Sequence, residues 1–375
     1  MNGIGTKKLV AMLNNPYEGE LGGFGLKTYK ERAELALRDG VTLVDLRLSS
    51  TNVRSIMEGT GANIEVGFWD GRKIITCKVP MQSIKVVFDY AGTGSSGSCD
   101  PYNHSKIVAV LNASGTKFVN GQQTESICSD KWSSYELFRE IGADTPITMQ
   151  YGRQNALALV KETGFVFIKD ISMSEGRGQF TVSASKDGYT LRSQGNEETF
   201  GTLHSALDTI ESASNPPTCI VQEGIKMQKI EGRIYDFRAL FQLNGNGQIV
   251  LPAVYMRLGA RGSDQSNISS GGYAQDPAHI FPDFSQIRES IAESGINIFK
   301  GLQRRSDYVG EIGMDFLRSS DGRLLVLEIN SKSGTKGIRD LAKRDETQSW
   351  HSALQEVLRN PIMYAVSMIK TADNS

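Results

Sequence analysis

A chain of 375 residues is too long for one small core and predicts two or three packed lobes able to enclose a deep cleft. Lys+Arg 41 against Asp+Glu 42 leave a formal net charge of -1, which excludes attraction of the whole molecule to nucleic acid or an anionic membrane, so any phosphate binding must be local. Cys77, Cys99, Cys128 and Cys219 form no C-x-x-C pair, the apolar run at 9–13 is too short for a signal peptide, and no segment approaches a membrane span, which together predict a reduced, cytoplasmic protein without a zinc ribbon or disulfide framework.

In chain order, residues 9–14 read as a strand, 26–38 as an amphipathic helix, and 41–46 and 84–90 as further strands, an alternation that predicts an α/β class. Gly92, Gly94 and Gly97 then satisfy G-x-G-x-x-G after a strand. The context rejects a dinucleotide site: Asp100 and Pro101 delay the next helix, at 102–112, and no acid follows Asp100 until Glu125. A helix at 130–141 ends at Gly142, before an extended segment at 144–148. The middle carries a helix at 155–162, a strand at 164–169, a glycine-containing loop, two strands turned at Lys186 to Gly188, and a helix at 202–212. Two hairpins follow, 230–243 with 249–258 around Asn244 to Gly247, and 313–317 with 324–330 around Ser319 to Gly322. Residues 262–272 read as a mobile loop, and a closing helix at 348–369 is expected to kink at Pro361.

The second hairpin has a metal-binding pattern. With a two-residue turn at Asp321-Gly322, stepping outward equally on both strands brings Asp315 opposite Glu328, with Cβ atoms about 5 Å apart, and alternation places Asn330 on the same face. A cation between the two carboxylates would relieve their repulsion, and a set of oxygen donors with room for water suits Mg²⁺. The bland alternative buries Met314, Leu327 and Ile329 and leaves Asp315, Glu328 and Asn330 to solvent; against it, the 324–327 run predicts a strand buried on both faces. In the first hairpin, every two-residue turn between Asn244 and Gly247 puts Asp236, Arg238 and Arg257 on one face. Two guanidiniums beside one carboxylate predict a positive surface for phosphate or carboxylate, a three-residue loop would flip the register, and a surface ion pair is the alternative. The strand at 165–169 runs from Lys169 into a loop whose small residues, Ser174, Gly176 and Gly178 beside Arg177, would admit phosphate oxygens.

The order of these pieces, from about Lys106 to the last helix, resembles the ATP-grasp superfamily. Lys131 opens a helix before Thr145, Pro146, Ile147 and Thr148; Lys169 ends a strand before Ser174, Gly176, Arg177 and Gly178; Gln222, Glu223 and Ile225 stand where the family holds adenine. Asp236, Arg238, Arg257 and Asn267 match its central sheet and overlying loop, and Asp315, Glu328 and Asn330 its metal site. Within the superfamily the chain resembles the YheC/YheD-like, spore-coat-associated branch and, more distantly, the ribosomal-protein glutamate ligases. Asp170 stands where that branch commonly has proline and Met173 where it has glycine, so the phosphate loop is expected to sit differently.

The resemblance implies an ATP-grasp fold with an N-terminal α/β domain (1–125), a central lid subdomain (126–225) and a C-terminal subdomain carrying the metal site (226–375). It further implies ATP with Mg²⁺, or Mn²⁺, as cofactors: Lys131, Lys169 and the 174–178 loop on the phosphates, Asp315, Glu328 and Asn330 on the metal, and Arg238, Arg257 and Asn267 in catalysis. The implied reaction activates a small-molecule or peptide carboxylate as an acyl phosphate and joins it to an amine. The alternatives are a non-catalytic ATP-binding coat protein, a kinase, and a ligase whose acceptor is a carrier thiol. Neither nucleic acid nor membrane is expected as a partner, and a homodimer is compatible with the sequence.

Overall fold

The computed structural model describes residues 9–14, 19–58, 63–91, 101–173, 178–193, 195–214, 218–263 and 265–373; the glycine motif at 92–97 lies outside them, as do Cys99, Asp100, Ser174, Gly176 and Arg177. Three sheets carry the described fold. β1 (Leu9–Asn14), α1 (Gly19–Arg38), β2 (Leu43–Arg47), α2 (Ser50–Met57), β3 (Asn63–Trp69), β4 (Ile74–Pro80), β5 (Ile84–Asp89), α3 (Pro101–Ala113) and β6 (Lys117–Val119) build the first, in the order β4-β3-β2-β1-β5-β6. β2, β1, β5 and β6 run parallel, and β3 and β4 form an antiparallel extension. β1 is buried along its whole length, as a central parallel strand covered on both faces must be. The sequence pattern did not predict α2, β3 or β4. α2 opens on Ser49, whose side chain accepts from Asn52 N, but eight residues are too few for its periodicity to stand out.

After α4 (Gln122–Ser129) and α5 (Lys131–Glu140) comes an antiparallel sheet made by β7 (Thr148–Gln150), β8 (Phe165–Asp170), β9 (Gln179–Ser185), β10 (Gly188–Ser193), β11 (Asn196–Phe200) and β12 (Cys219–Glu223), ordered β11-β10-β9-β8-β12-β7. Two intervening helices, α6 (Arg153–Thr163) and α7 (Leu203–Ala213), bury Leu157, Val160 and Leu207 against Val166, Ile168 and Val221. Each helix begins or ends for a local reason. Asp130 caps α5 by accepting from Ser133 N at 2.6 Å, Thr202 caps α7 by accepting from Ser205 N at 3.2 Å, and α6 stops on left-handed Gly164 at φ +73°.

The third sheet, β15-β14-β13-β16-β17, is antiparallel throughout and uses β13 (Tyr235–Leu243), β14 (Ile249–Leu258), β15 (Tyr273–Gln275), β16 (Glu311–Arg318) and β17 (Leu324–Asn330). Between β15 and β16 runs α8 (Phe284–Arg305), a helix without counterpart in the sequence reading, which packs Ile291, Ile298 and Phe299 on Phe237, Phe241 and Met314. α9 (Lys336–Ala342) and α10 (Ser349–Asp373) close the chain. α10 is helical on both sides of Pro361 and joins the first sheet to the third, packing Ile362, Ala365 and Met368 with Val10 and Met12, and Val357 with Leu240 and Ile338. No helix among the described residues is long and apolar enough to cross a membrane.

Both long hairpins differ from the two-residue turns predicted. Ser319 N donates to Arg323 O at 2.9 Å and Gly322 N to Ser319 O at 3.0 Å, so the loop is Ser320, Asp321 and Gly322, with Gly322 left-handed at φ +91°. That loop alone would flip the register, but a bulge at Leu327 flips it back: Phe316 pairs with Val326, and the next pair is Asp315 with Glu328. The β13–β14 hairpin repeats the device. Asn244 N donates to Gln248 O at 3.0 Å around a three-residue loop, and the register shifts between Leu240 and Gln242, opposite Pro252, a residue that bulges accommodate because it cannot donate. Beyond the shift, Asp236 pairs with Arg257 and Arg238 with Tyr255.

Candidate active site

Between the second and third sheets lies a cleft of about 830 Å³. Register alone aligns a row of side chains across four strands of its floor: Tyr255 on β14, Arg238 on β13, Asp315 on β16 and Glu328 on β17 are successive cross-strand partners. Asp236 and Arg257 form a second pair two residues along.

The charges in this floor are paired more fully than the sequence suggests. Arg238 embraces Asp315 with both Nε and Nη2, the latter at 3.0 Å. Arg257 does the same to Asp236, with Nε donating to Oδ1 at 2.7 Å, and its Nη2 also lies 2.9 Å from Asp315 Oδ2. Two guanidiniums therefore share two carboxylates, and the positive surface expected from two arginines beside Asp236 alone is corrected: β16 delivers Asp315 directly opposite Arg238. Burial by itself would raise the Asp315 carboxyl, but Arg238 and Arg257 outweigh it and hold the group below the usual carboxylate range. Burial likewise opposes ionisation of Arg257, and Asp236 with Asp315 reverses that, holding its pKa well above the ordinary arginine value. Tyr255 lies fully buried in this row, and Ser266 donates to Asp236 Oδ2 at 2.6 Å, tying the 259–272 loop to the floor. Tyr255 did not stand out in the sequence, where a lone tyrosine carries no pattern.

The cation inferred from repulsion between Asp315 and Glu328 is partly supplied by Arg238. Asp315 accepts three contacts from arginine and keeps one of its four lone-pair positions. Glu328 faces Asp315 across the ladder, and Asn330 Nδ2 is buried without a partner. Exchanging the nearly indistinguishable amide N and O would replace that orphan donor by a carbonyl oxygen. Two carboxylates and an amide oxygen are hard donors suited to Mg²⁺, so the residues fit. Among the described residues no group of three His, Cys, Asp or Glu side chains could hold a metal, so the amide is essential to the set.

The opposite wall supplies the cations. Lys169, at the end of β8, donates to Gln222 Oε1 at 2.8 Å, and Gln222 Nε2 donates to Thr148 Oγ1 at 3.0 Å. Burial lowers the Lys169 pKa, Glu328 pulls it back up and Lys131 adds to the lowering. Lys131 begins α5, and its Nζ donates to Met173 O. Asp170 turns the chain here: its Oδ1 accepts from Ser172 N at 2.9 Å and Met173 N at 3.2 Å, and its Oδ2 from Thr218 Oγ1 at 2.9 Å. Met173 in turn explains Gly178, left-handed at φ +62°, where an added Cβ would come within 2.7 Å of the Met173 sulfur. The remainder of the expected phosphate loop, Ser174, Gly176 and Arg177, falls outside the described residues.

Lys131, Lys169, Gln222, Glu223, Ile225, Arg238, Arg257, Asn267, Asp315, Glu328 and Asn330 all line this cleft, with nine Lys/Arg against five Asp/Glu in its walls. The excess sits on the wall opposite the floor, on the segment after β12 with Lys226 and Lys229, and after β17 with Lys332 and Lys336, which suits a polyanion. Apolar walls from Phe165, Phe167, Met227 and the bulged Leu327 complete a slot of ligand size. At its rim Lys332 donates to Asp89 Oδ2 at 3.0 Å and to Ala91 O at 2.8 Å, and His104 Nε2 lies 3.0 Å from the same Asp89 oxygen, linking the cleft to the C-terminal end of β5.

A family model described as YheC/D like ATP-grasp matches residues 120–368. The endospore coat-associated protein YheD of Bacillus subtilis (strain 168) is 22% identical over 218 residues, 55% of this chain and 48% of that protein, so the chain spans about half the length of this curated relative. Among solved structures, D-alanyl-alanine synthetase A from Vibrio cholerae O1 biovar eltor superposes with a TM-score of 0.55 at 11% identity, covering 98% of this chain and 100% of the other. D-alanine–D-alanine ligase from Bacillus anthracis gives 0.54 at 14% identity, covering 97% and 99%. At such identities these structures establish the ATP-grasp fold.

Proposed function

The chain belongs to the YheC/D like ATP-grasp family, and on that premise we propose that it is an ATP-dependent ligase that activates a carboxylate as an acyl phosphate and joins it to an amine, releasing ADP and phosphate. The observation that carries the reading is the convergence in one cleft of two lysines on the wall opposite the floor, two carboxylate-paired arginines, and the Asp315–Glu328–Asn330 oxygen set on the sheet. Fold alone would support much less.

In this reading adenine lies against Gln222, Glu223, Ile225 and Leu327, and the phosphates meet Lys131 and Lys169. Burial makes the Lys169 ammonium costly in the free protein, so a bound polyphosphate stabilises its charged form and gains affinity from doing so. Asp315, Glu328 and Asn330 would hold Mg²⁺, or Mn²⁺, which when bound neutralises charge developing on the transferring phosphoryl group. A substrate carboxylate oxygen attacks the γ-phosphorus, the bond to the ADP oxygen breaks, and acyl phosphate forms. The amine then adds to the acyl carbon, loses a proton, and phosphate departs. Arg238 and Arg257, held rigid by their aspartates, present donors to the negative oxygens of both steps at little reorganisation cost. Asn267 and Ser266 bring their loop over the same centre and help exclude water, which would hydrolyse the acyl phosphate.

The test combines ADP release with mass spectrometry of products from mixed amino acids, peptides and polyamines, and hydroxylamine to trap acyl phosphate. Glu328→Gln is expected to abolish carboxylate-dependent ADP release while leaving the circular dichroism unchanged; retained activity would remove Glu328 from the metal site. The name of the Bacillus subtilis relative favours a second reading, a nucleotide-binding coat protein without turnover. Tight nucleotide binding with no ADP release across the whole panel would decide for it.

A further inference from the structure

Ladder pairing of the metal hairpin ends at Gly313 and Asn330. Beyond that point no ladder pair joins the two segments: one runs on to Lys332 and its bond with Asp89, and the other runs back through Glu311 and Gly310 toward α8. The side chain of Asn120, 4% exposed and just past β6, sits in the fork. Its Nδ2 donates to Glu311 O and to Ser331 O, both at 2.7 Å, and its Oδ1 accepts from Gly310 N at 2.7 Å and Glu311 N at 3.1 Å. Two donors and two acceptor positions are all that an amide has, and every one is spent on the backbone of these two segments. One of those partners, Ser331, directly follows Asn330, and Glu311 lies on the strand that carries Asp315.

We infer that Asn120 is a positioning residue for the metal site: it closes the open end of the β16–β17 hairpin and so sets the separation of Asn330 and Glu328 from Asp315. The inference rests on the ligase reading above, since it concerns the same oxygen set. It also gives the N-terminal lobe a direct role in the chemistry of the C-terminal sheet, through a residue that touches neither nucleotide nor metal. A hydrophobic residue of similar size could fill the same space but would leave two buried carbonyls and two buried N–H groups unpaired. Asp is isosteric, but it turns both Nδ2 donations into repulsion between oxygens.

The experiment measures Mn²⁺ binding by electron paramagnetic resonance with a non-hydrolysable ATP analogue, and binding of the same analogue in EDTA, for the wild type, Asn120→Asp and Asn120→Ala. Loss of a residue that orients metal ligands from outside the coordination sphere typically weakens metal affinity about 10–100-fold, and that range is expected for both variants, with nucleotide binding in EDTA unchanged. Wild-type Mn²⁺ affinity in either folded variant overturns the inference. So does a parallel loss of metal-free nucleotide binding, which would mark a general disruption, and so does failure of both variants to fold, which would assign Asn120 to stability alone. If the wild type itself shows no metal-dependent nucleotide binding, the functional reading falls together with this one.

Discussion

Replacing Asp236 by Asn removes one charge from a buried quartet that is neutral as it stands, with Arg238 and Arg257 matched to Asp236 and Asp315. Asp236 is 5% exposed and Arg257 7%, so solvent screens little of the loss. Breaking a buried ion pair by deleting one partner costs about 3–5 kcal/mol. Arg257 keeps its contact with Asp315 Oδ2 at 2.9 Å, and Asn can still accept one hydrogen bond, which places the expected cost near the lower figure, about 3 kcal/mol. At a urea slope of about 3 kcal/mol per molar, the unfolding midpoint should fall by about 1 M, read by far-ultraviolet circular dichroism. The function should suffer in a specific way. With Arg257 leaning wholly on Asp315, the last free lone pair of that carboxylate competes against a second guanidinium, and Mn²⁺ binding should weaken. Adding Arg257→Leu to the Asp236→Asn protein should cost less than the two single changes summed, because the stranded charge disappears with its partner. An unaltered urea midpoint, or strictly additive costs, would show that the quartet is solvated and that the argument from buried charge is unsound.

The arithmetic of the hairpins shows how much of the site the sequence exposed. Asp315 and Glu328 face each other as predicted, but through a three-residue loop and a compensating bulge rather than the regular two-residue turn. Two departures of one residue each cancel in register, and a bulge has no local sequence signature when the extra residue is a leucine among leucines. The first hairpin offered one clue, since Pro252 cannot serve in a regular inner ladder. The pairing of Arg238 with Asp315 was hidden for another reason. It depends on β13 lying beside β16, and that adjacency is made by α8 crossing between distant strands. α8 itself was obscured by Gly295, which reads as a helix breaker until its partner is known: a Cβ there would approach Phe241 Cζ to 2.0 Å, so the glycine is a packing requirement. The stripe of Ile287, Ile291, Ile298 and Leu302 was present throughout. Elements defined by their own caps and periodicity, such as α5, α7 and β1, were legible. Elements defined by what they pack against were not.

In the rim cluster, burial would raise the Asp89 carboxyl, but Lys332 and His104 hold it below the usual range, so its contribution is complete above the unfolded aspartate pKa of about 3.9 and disappears as pH falls through the depressed folded value. Asp89→Asn should therefore cost about 3 kcal/mol at pH 7, low in the range for a broken buried pair because Lys332 keeps some solvent contact, and the gap to wild type in urea titrations should stay flat to about pH 5 and narrow only below about pH 4. A gap that already closes near pH 6 would refute a depressed Asp89 carboxyl. Deleting Leu327 probes the bulge. With Leu327 gone, Val326, buried in the core, becomes the neighbour of Glu328, so alternation still sends Glu328 to the cleft opposite Asp315 and leaves Asn330 in place. What is lost is one partly buried apolar side chain of the nucleotide slot, worth about 1 kcal/mol or roughly fivefold in nucleotide affinity. Metal dependence of binding should survive the deletion. Its loss would mean that the bulge holds the carboxylates by its own distorted geometry, and that register alone does not build the site.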